Sequence, residues 1–303
     1  MTQLAAVKPR VNKSASAMRR TLVGLSFILP NFIGFFIFIL IPVVFSFILS
    51  FMNWDGFNKM EFAFLDNFTT IFSEREFRTA LAKTLQFSAV TVVVTAFAAL
   101  GLAVLLNKKL FATAFFRSSI FFPYIASMVS IAVVWRLLFM KDFGAINQFL
   151  RLIGIADPPG WIATTQWALP AVMIVYAWKF MGYYMIVYLA ALQDIPVELR
   201  EAASIDGANG FQYFWQVTVP MLAPATFFVV LMLTINSFKS FDLVFAMTGG
   251  GPGRATTLLS NYIYDKAFVS FNYGHTSAAA FVLLLIIITI TLIQFRIEKN
   301  MSS

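Results

Sequence analysis

The chain has 303 residues, 60% of them hydrophobic and only 12% charged, with a formal net charge of +8. A water-soluble domain carries about 25% charged residues, so this composition excludes a soluble enzyme, a DNA-binding domain and a disordered chain. Cysteine is absent, which removes disulfides, thiolate metal sites and cysteine nucleophiles.

About 20 apolar residues cross a bilayer as a helix. Runs free of Asp, Glu, Lys and Arg cover 21–54, 84–107, 118–135, 158–178, 207–238 and 267–295. Trimmed of loop-like flanks, they predict an all-α, polytopic membrane protein with six helices at about 24–48, 84–106, 116–138, 167–190, 222–247 and 277–296. The fourth runs past Lys179 and the fifth past Lys239, and a charge inside a span faces a cavity or the protein because lipid penalises it. The first span carries Pro30 and Pro42, so kinks or a ragged start are expected there rather than one ideal rod. It is too long, and lacks the small-residue cleavage pattern, for a removable leader.

Basic residues give the sidedness. The N-terminal segment, 1–21, holds Lys8, Arg10, Lys13, Arg19 and Arg20 with no acid; the loop after the second span holds Lys108 and Lys109; the tail, 297–303, adds Lys299 just after Arg296. Both ends are therefore expected in the cytoplasm, and the loops near 52–83, 141–166 and 248–276 outside. The net charge then reads as a topology signal rather than as a nucleic-acid surface. By organisation, 22–83 comprises the first helix and an outer loop, and 84–296 a five-helix core that includes a cytoplasmic loop, 191–221.

Several chemistries are missing. No phosphate-binding G-x-x-x-x-G-K-[ST] occurs. The one histidine, His275, excludes histidine metal clusters and reads as a satisfied interfacial residue. No paired intramembrane carboxylates suggest a proton or sodium relay. A stand-alone secondary transporter or channel would need such a relay or a filter ring.

The cytoplasmic loop is more specific than a linker. Pro196 suits a helix start, 197–205 is helix-compatible with Glu198 near the positive end, and Gly207 suits a left-handed cap. Ala202 and Ala203 leave one face small. The aromatic segment 211–219 is expected along the membrane surface. The pattern predicts a helix–turn–helix knob, either a plain connector or a docking element.

The spaced ensemble Glu201-Ala202-Ala203, Gly207 and Val217-Thr218-Val219-Pro220 resembles the signature of ABC-importer permeases. Trp178-Lys179, Gly182-Tyr183, Ile195-Pro196, Asp206-Gly207-Ala208, Phe238-Lys239, Phe241-Asp242 and the run from Met247 to Pro252 extend the likeness to the carbohydrate-uptake branch. Valine stands where the family more usually has isoleucine and leucine. The resemblance covers about 22–296 and implies a type I importer permease fold in a bacterial or archaeal inner membrane. It implies that Glu201, Ala202, Ala203, Asp206 and Gly207 form a coupling helix seated on a cytoplasmic ATPase dimer. It also implies a second homologous permease, an extracytoplasmic solute-binding protein and a sugar substrate, with ATP and Mg on the ATPase and no cofactor on this chain.

A substrate path needs polar groups inside apolar helices. Tyr176, Lys179, Phe180 and Tyr183 fall at i, i+3, i+4 and i+7, one helical face, and Asn236, Ser237 and Ser240 share another. Aromatic faces with hydroxyls suit sugar rings, and similar permeases place substrate contacts on these two helices; helix packing by small polar residues is the competing use. Lys239 and Asp242, three apart, are expected to pair. The turn 249–253 reads either as a tight turn or as a contact for the binding protein, and Trp161 as an interfacial anchor.

Overall fold

The computed structural model describes residues 13–108 and 111–302, which are predominantly helical. Lys8, Arg10 and Lys109, three of the residues behind the sidedness, lie outside them. The chain divides into two compact units, 1–49 and 50–303.

In the first unit, α1 (Lys13–Phe35) passes through a π-helical stretch, Phe36–Leu40, into α2 (Ile41–Leu49). Pro30 lies inside α1 without breaking it. The wide turn comes directly before Pro42. Proline lacks an N–H and its ring crowds the carbonyl four residues back, here that of Phe38, and a π turn opens the backbone at that point. The expected kink is thus a local widening. No side chain from 23 to 48 is buried.

The larger unit opens with a short antiparallel ladder, β1 (Met52–Asn53) with β2 (Glu61–Phe62), and then α3 (Asp66–Ser73). α4 (Arg75–Leu106) has 32 residues. At 1.5 Å per residue this is about 48 Å, against a hydrocarbon core of about 30 Å. Its first turns therefore stand beyond the bilayer, which is why it starts before the predicted position 84.

The third predicted span is two helices. α5 (Thr113–Ile125) and α6 (Met128–Leu138) meet at 102°, because Ala126 and Ser127 are extended and end the hydrogen-bond ladder just after Pro123. α7 (Ala145–Leu152) follows in the next loop, and α8 (Thr165–Gln193) is a single rod through Pro170. After it come α9 (Val197–Ile205), α10 (Gly210–Tyr213), a π-helical stretch Phe214–Thr218 and α11 (Val219–Met221). The segment Gly210–Met221 bends by 64° into α12 (Ala223–Phe238).

α12 stops well short of the predicted end at 247. Lys239 caps it, the chain breaks at 240–241, and α13 (Asp242–Met247) starts afresh. α14 (Leu259–Phe268) and α15 (Tyr273–Ser302) complete the chain. Among the described residues four helices are singly long and apolar enough to cross, and the two bent pairs bring the number to six.

The core forms where α4, α8 and α12 meet. Along α4, Thr84, Ser88, Thr91, Thr95, Ala99 and Ala103 recur every three or four residues and all are buried. Small residues on one stripe let backbones approach in a membrane, where no hydrophobic force drives helices together. Phe87, Val172, Tyr176, Met185 and Leu233 fill the space between. A second cluster joins Ile71, Phe77 and Ala80 to Leu259, Tyr262, Ala278 and Val282. Residues 50–83, grouped with the first helix by sequence, therefore pack within the larger unit.

Candidate functional site

The knob of the 191–221 loop is closed by its own backbone. Pro196, with extended geometry, precedes α9, and Glu198 sits in its first turn. Gly207 has φ +77°, a conformation that costs other residues energy. Its N–H donates to the Ser204 carbonyl at 3.2 Å, and the Ala208 N–H donates to that of Ala203 at 2.9 Å, the paired bonds of a Schellman ending. Two residues on, the Gln212 N–H donates to Asn209 Oδ1 at 2.9 Å and the Asn209 N–H to Gln212 Oε1 at 2.8 Å. This capping box starts α10. The turn is therefore closed by bonds made within 203–212.

The knob is also open. Glu201, Ala202, Asp206 and Gly207 are exposed, Ala203 is half-buried, and no α9 side chain is buried. A Cβ built on Gly207 meets nothing within 4 Å. Ile205, 86% exposed, is an apolar side chain at the tip of a polar loop. Phe211 and Trp215 are exposed on the segment behind it.

The α8 face that carries Tyr176, Lys179, Phe180 and Tyr183 is turned toward α4 and α5. Tyr176 is buried, edge-on to Phe87 of α4 at 5.3 Å and against Phe180 at 4.5 Å. Its hydroxyl has no partner. Lys179 is 5% exposed, and its Nζ donates to three backbone carbonyls at the α5–α6 break: Pro123 at 3.1 Å, Tyr124 at 3.2 Å and Ala126 at 2.6 Å. An ammonium has three N–H donors, so none is left for a substrate. Gly182 lies against the α5 backbone. Tyr183 stacks on Tyr124 with ring centroids 4.4 Å apart.

On α12, Asn236 Nδ2 reaches the Tyr184 hydroxyl at 3.4 Å. Ser237 Oγ is buried and donates to Ser88 Oγ of α4 at 2.7 Å. Ser240, beyond the end of α12, is buried with an unpartnered hydroxyl. Phe180, Tyr183 and Asn236 keep partial access, whereas Tyr176, Lys179, Ser237 and Ser240 sit within the chain's own packing. Sequence reasoning missed Ser88, Tyr124 and Tyr184, the partners of predicted residues. For Ser88 the signal was present, because the polar residues 84, 88, 91 and 95 already mark one face of an apolar helix.

Lys239 and Asp242 are not an ion pair. The helix break between them removes the spacing that pairing requires, and the ion pairs among the described residues are Arg254 with Glu76 and Lys266 with Glu74. His275 is partnered by Asn272 at 2.9 Å. Trp161 Nε1 donates to Asn147 Oδ1 at 2.7 Å. The glycine-rich turn is bonded to itself, Thr256 Oγ1 to the Gly251 carbonyl and Thr257 Oγ1 to that of Gly250, with Gly249, Gly250 and Gly253 at positive φ. Arg254 of this turn pairs with Glu76, and Lys83 donates to the Arg254 carbonyl. These groups line a cleft of about 640 Å³ shared with Arg75, Asp265 and Lys266.

Beside the cleft, Glu74 accepts from the Tyr262 hydroxyl at 2.7 Å and from Lys266 at 2.9 Å. Burial works to raise the Glu74 carboxyl, but hydrogen bonds from Lys266 and Tyr262 outweigh it and hold its pKa below the usual value. Burial raises the carboxyl of Asp265. Among the described residues no group of His, Asp and Glu is placed to hold a metal.

Known proteins share both the sequence and the shape. A probable starch degradation products transport system permease, AmyD of Thermoanaerobacterium thermosulfurigenes, is 34% identical over 275 residues, 90% of this chain and 93% of that protein. The lactose transport system permease LacF of Rhizobium radiobacter is 35% identical over 279 residues, covering 90% and 92%. The sn-glycerol-3-phosphate transport system permease UgpA of Brucella abortus is 35% identical over 254 residues, covering 83% and 86%. A crystal structure of a bacterial ABC transporter involved in import of the acidic polysaccharide alginate has a chain that superposes with a TM-score of 0.83. It covers 96% of this chain and 100% of that one at 22% identity, a likeness of fold. Residues 92–303 match the family described as binding-protein-dependent transport system inner membrane component, and the chain belongs to that family.

Proposed function

We propose that the chain is the membrane permease subunit of an ATP-driven, binding-protein-dependent sugar importer, supplying half of the translocation path by alternating access. The observation that carries the reading is the α9 knob, closed by its own caps and open on its surface. A partner ATPase cleft would grip Glu201, Ala202, Ala203, Asp206 and Gly207, the small residues letting it approach the backbone. ATP and Mg belong to that partner, and this chain needs no cofactor. ATP closure of an ATPase dimer would move α9 and, through residues 194–196, the α8 rod; hydrolysis would reset it.

A second, homologous permease supplies the other half of the path. The relatives carry names for starch products, lactose and sn-glycerol-3-phosphate, which supports a sugar or a glycerophosphate as substrate. The accessible Phe180, Tyr183 and Asn236 are the path-lining residues of this chain, an aromatic face and an amide for a ring with an apolar face and a polar rim. The solute-binding protein delivers substrate at the face that bears the 249–257 turn and the charged cleft.

The test is Gly207→Trp in the assembled transporter. The bulky side chain projects from the knob into the space an ATPase would fill. Expected is a chain that inserts and folds, with uptake lost and ATP hydrolysis no longer stimulated by loaded binding protein. Normal uptake by this variant would falsify the coupling assignment.

A further inference from the structure

Lys179 stands at the centre of α8, fourteen residues from each end of Thr165–Gln193, the point of this apolar span farthest in from either end. A charge at that depth is costly unless the protein solvates it. Neither ion pair among the described residues involves Lys179. The hydrogen bonds of its ammonium all go to backbone, the carbonyls of Pro123, Tyr124 and Ala126 at 2.6–3.2 Å, and the Tyr124 ring lies 6.0 Å away. Two belong to the last turn of α5, whose dipole presents partial negative charge at that end, and the third belongs to the extended residue that ends it. These carbonyls have lost their helical partners at the break. Broken helices at the midplane of transporters hold cations in this way, with freed carbonyls and half-helix C-termini as ligands.

We propose that the α5–α6 break is a three-carbonyl site for a primary ammonium, filled by the chain's own Lys179, and that Lys179 is a positioning residue that sets the 102° bend. Gly182 and Tyr183 complete the fastening, one by bare backbone contact with α5 and the other by stacking on Tyr124. The bend aims α6 at α13, where Ile131 and Ala132 pack with Leu243, Val244 and Met247 in one core. α8, fastened at its middle and continuous with the approach to α9, would carry the α5–α6 break with it. That last step rests on the coupling role of α9; the ammonium site does not.

The experiment is chemical rescue in the assembled transporter in proteoliposomes. Lys179→Ala removes the side chain beyond Cβ and leaves room for propylammonium. Expected is a fall in maximal uptake of about tenfold or more, since freed carbonyls are left unsatisfied, and a recovery of at least severalfold in millimolar propylammonium chloride. Tetramethylammonium at equal ionic strength has no N–H and is expected to restore nothing. Loss with no recovery, recovery by both cations alike, or undiminished uptake each overturns the site. Lys179→Arg and Lys179→Met serve if the alanine variant does not assemble. Arginine keeps donors and should assemble and transport at a reduced rate, while methionine fills space without them and should fail. Equal behaviour of the two overturns the proposal, as does a Met variant that changes only the KM for substrate, the mark of a substrate contact. Rescue by propylammonium would stand even if Gly207→Trp left coupling intact, so the two readings fail separately.

Discussion

The knob at α9 and the α8 face at its middle both use glycine, and for opposite ends. Gly207 sits in a left-handed turn with empty space around its Cα. Gly182 is helical, and a Cβ there would overlap the Ile120 carbonyl oxygen and lie 2.9 Å from the Phe121 Cα. One glycine serves a backbone conformation and leaves a surface open to another molecule. The other serves a contact, and closes the chain on itself at the point where Lys179 grips α5. A surface left open and one closed on the fold thus differ in what surrounds a residue, even where the residue is the same.

The comparison breaks most visibly through alanine. Gly182→Ala overlaps backbone, which cannot swing away as a side chain can, and is expected to destabilise the chain by about 3 kcal/mol or more. Thermal unfolding in detergent or nanodiscs reads this, and an unchanged midpoint would mean the α5 backbone is free to retreat. Gly207→Ala meets no atom and costs only the left-handed conformation, about 1 kcal/mol. Its uptake should remain near that of the parent, in contrast to Gly207→Trp. If Gly207→Ala abolished uptake at normal expression, the cap itself, rather than the space beyond it, would carry the coupling.

Between these extremes lies α12, where Asn236 keeps partial access and Ser237 is spent on Ser88. Asn236→Ala is expected to raise the KM for substrate severalfold with assembly intact. Ser237→Ala should leave KM alone and lower stability by about 0.6 kcal/mol, the typical value of an interhelical hydrogen bond in a membrane. Reversed results would move the path from the accessible residues to the buried ones.

The sequence made the knob legible because its signals are local. Pro196, Glu198, the two alanines and Gly207 each act within one turn, and the structure places α9 at the predicted 197–205. Hydropathy located α4, α8 and α15 for the same reason. The breaks were not local. Pro30, Pro123 and Pro170 all lie inside helices, so proline did not say which helix would end. What distinguishes Pro123 is an ammonium 56 residues away in sequence. Lys179 looked like a path residue because its own helix face was apolar and aromatic; its partners are backbone atoms, which no side-chain pattern announces. At Lys239 the charge was visible, but a charged residue in an apolar run reads equally as a cavity-facing group and as the end of a helix.

An effect of similarly small size concerns the layer at the head of α4, which is neither open like α9 nor sealed like the middle of α8. Glu74 receives Tyr262 and Lys266 there, and its folded pKa is depressed below the usual value. A depressed carboxylate contributes stability that is present above its unfolded pKa and is lost as pH falls through its folded pKa. Glu74→Gln removes that contribution at neutral pH, and since the group is partly exposed the cost is about 0.5–1 kcal/mol. Hydrogen exchange of the α14 amides would show faster opening in the variant at pH 7. The gap should narrow as pH falls below the ordinary glutamate range and the parent carboxylate takes up its proton. A gap that stays constant over that range would mean that Gln loses packing rather than charge, and that α14 is held to the head of α4 by the aromatic contact of Phe77 with Tyr262, 5.6 Å between ring centroids, rather than by the ion pair.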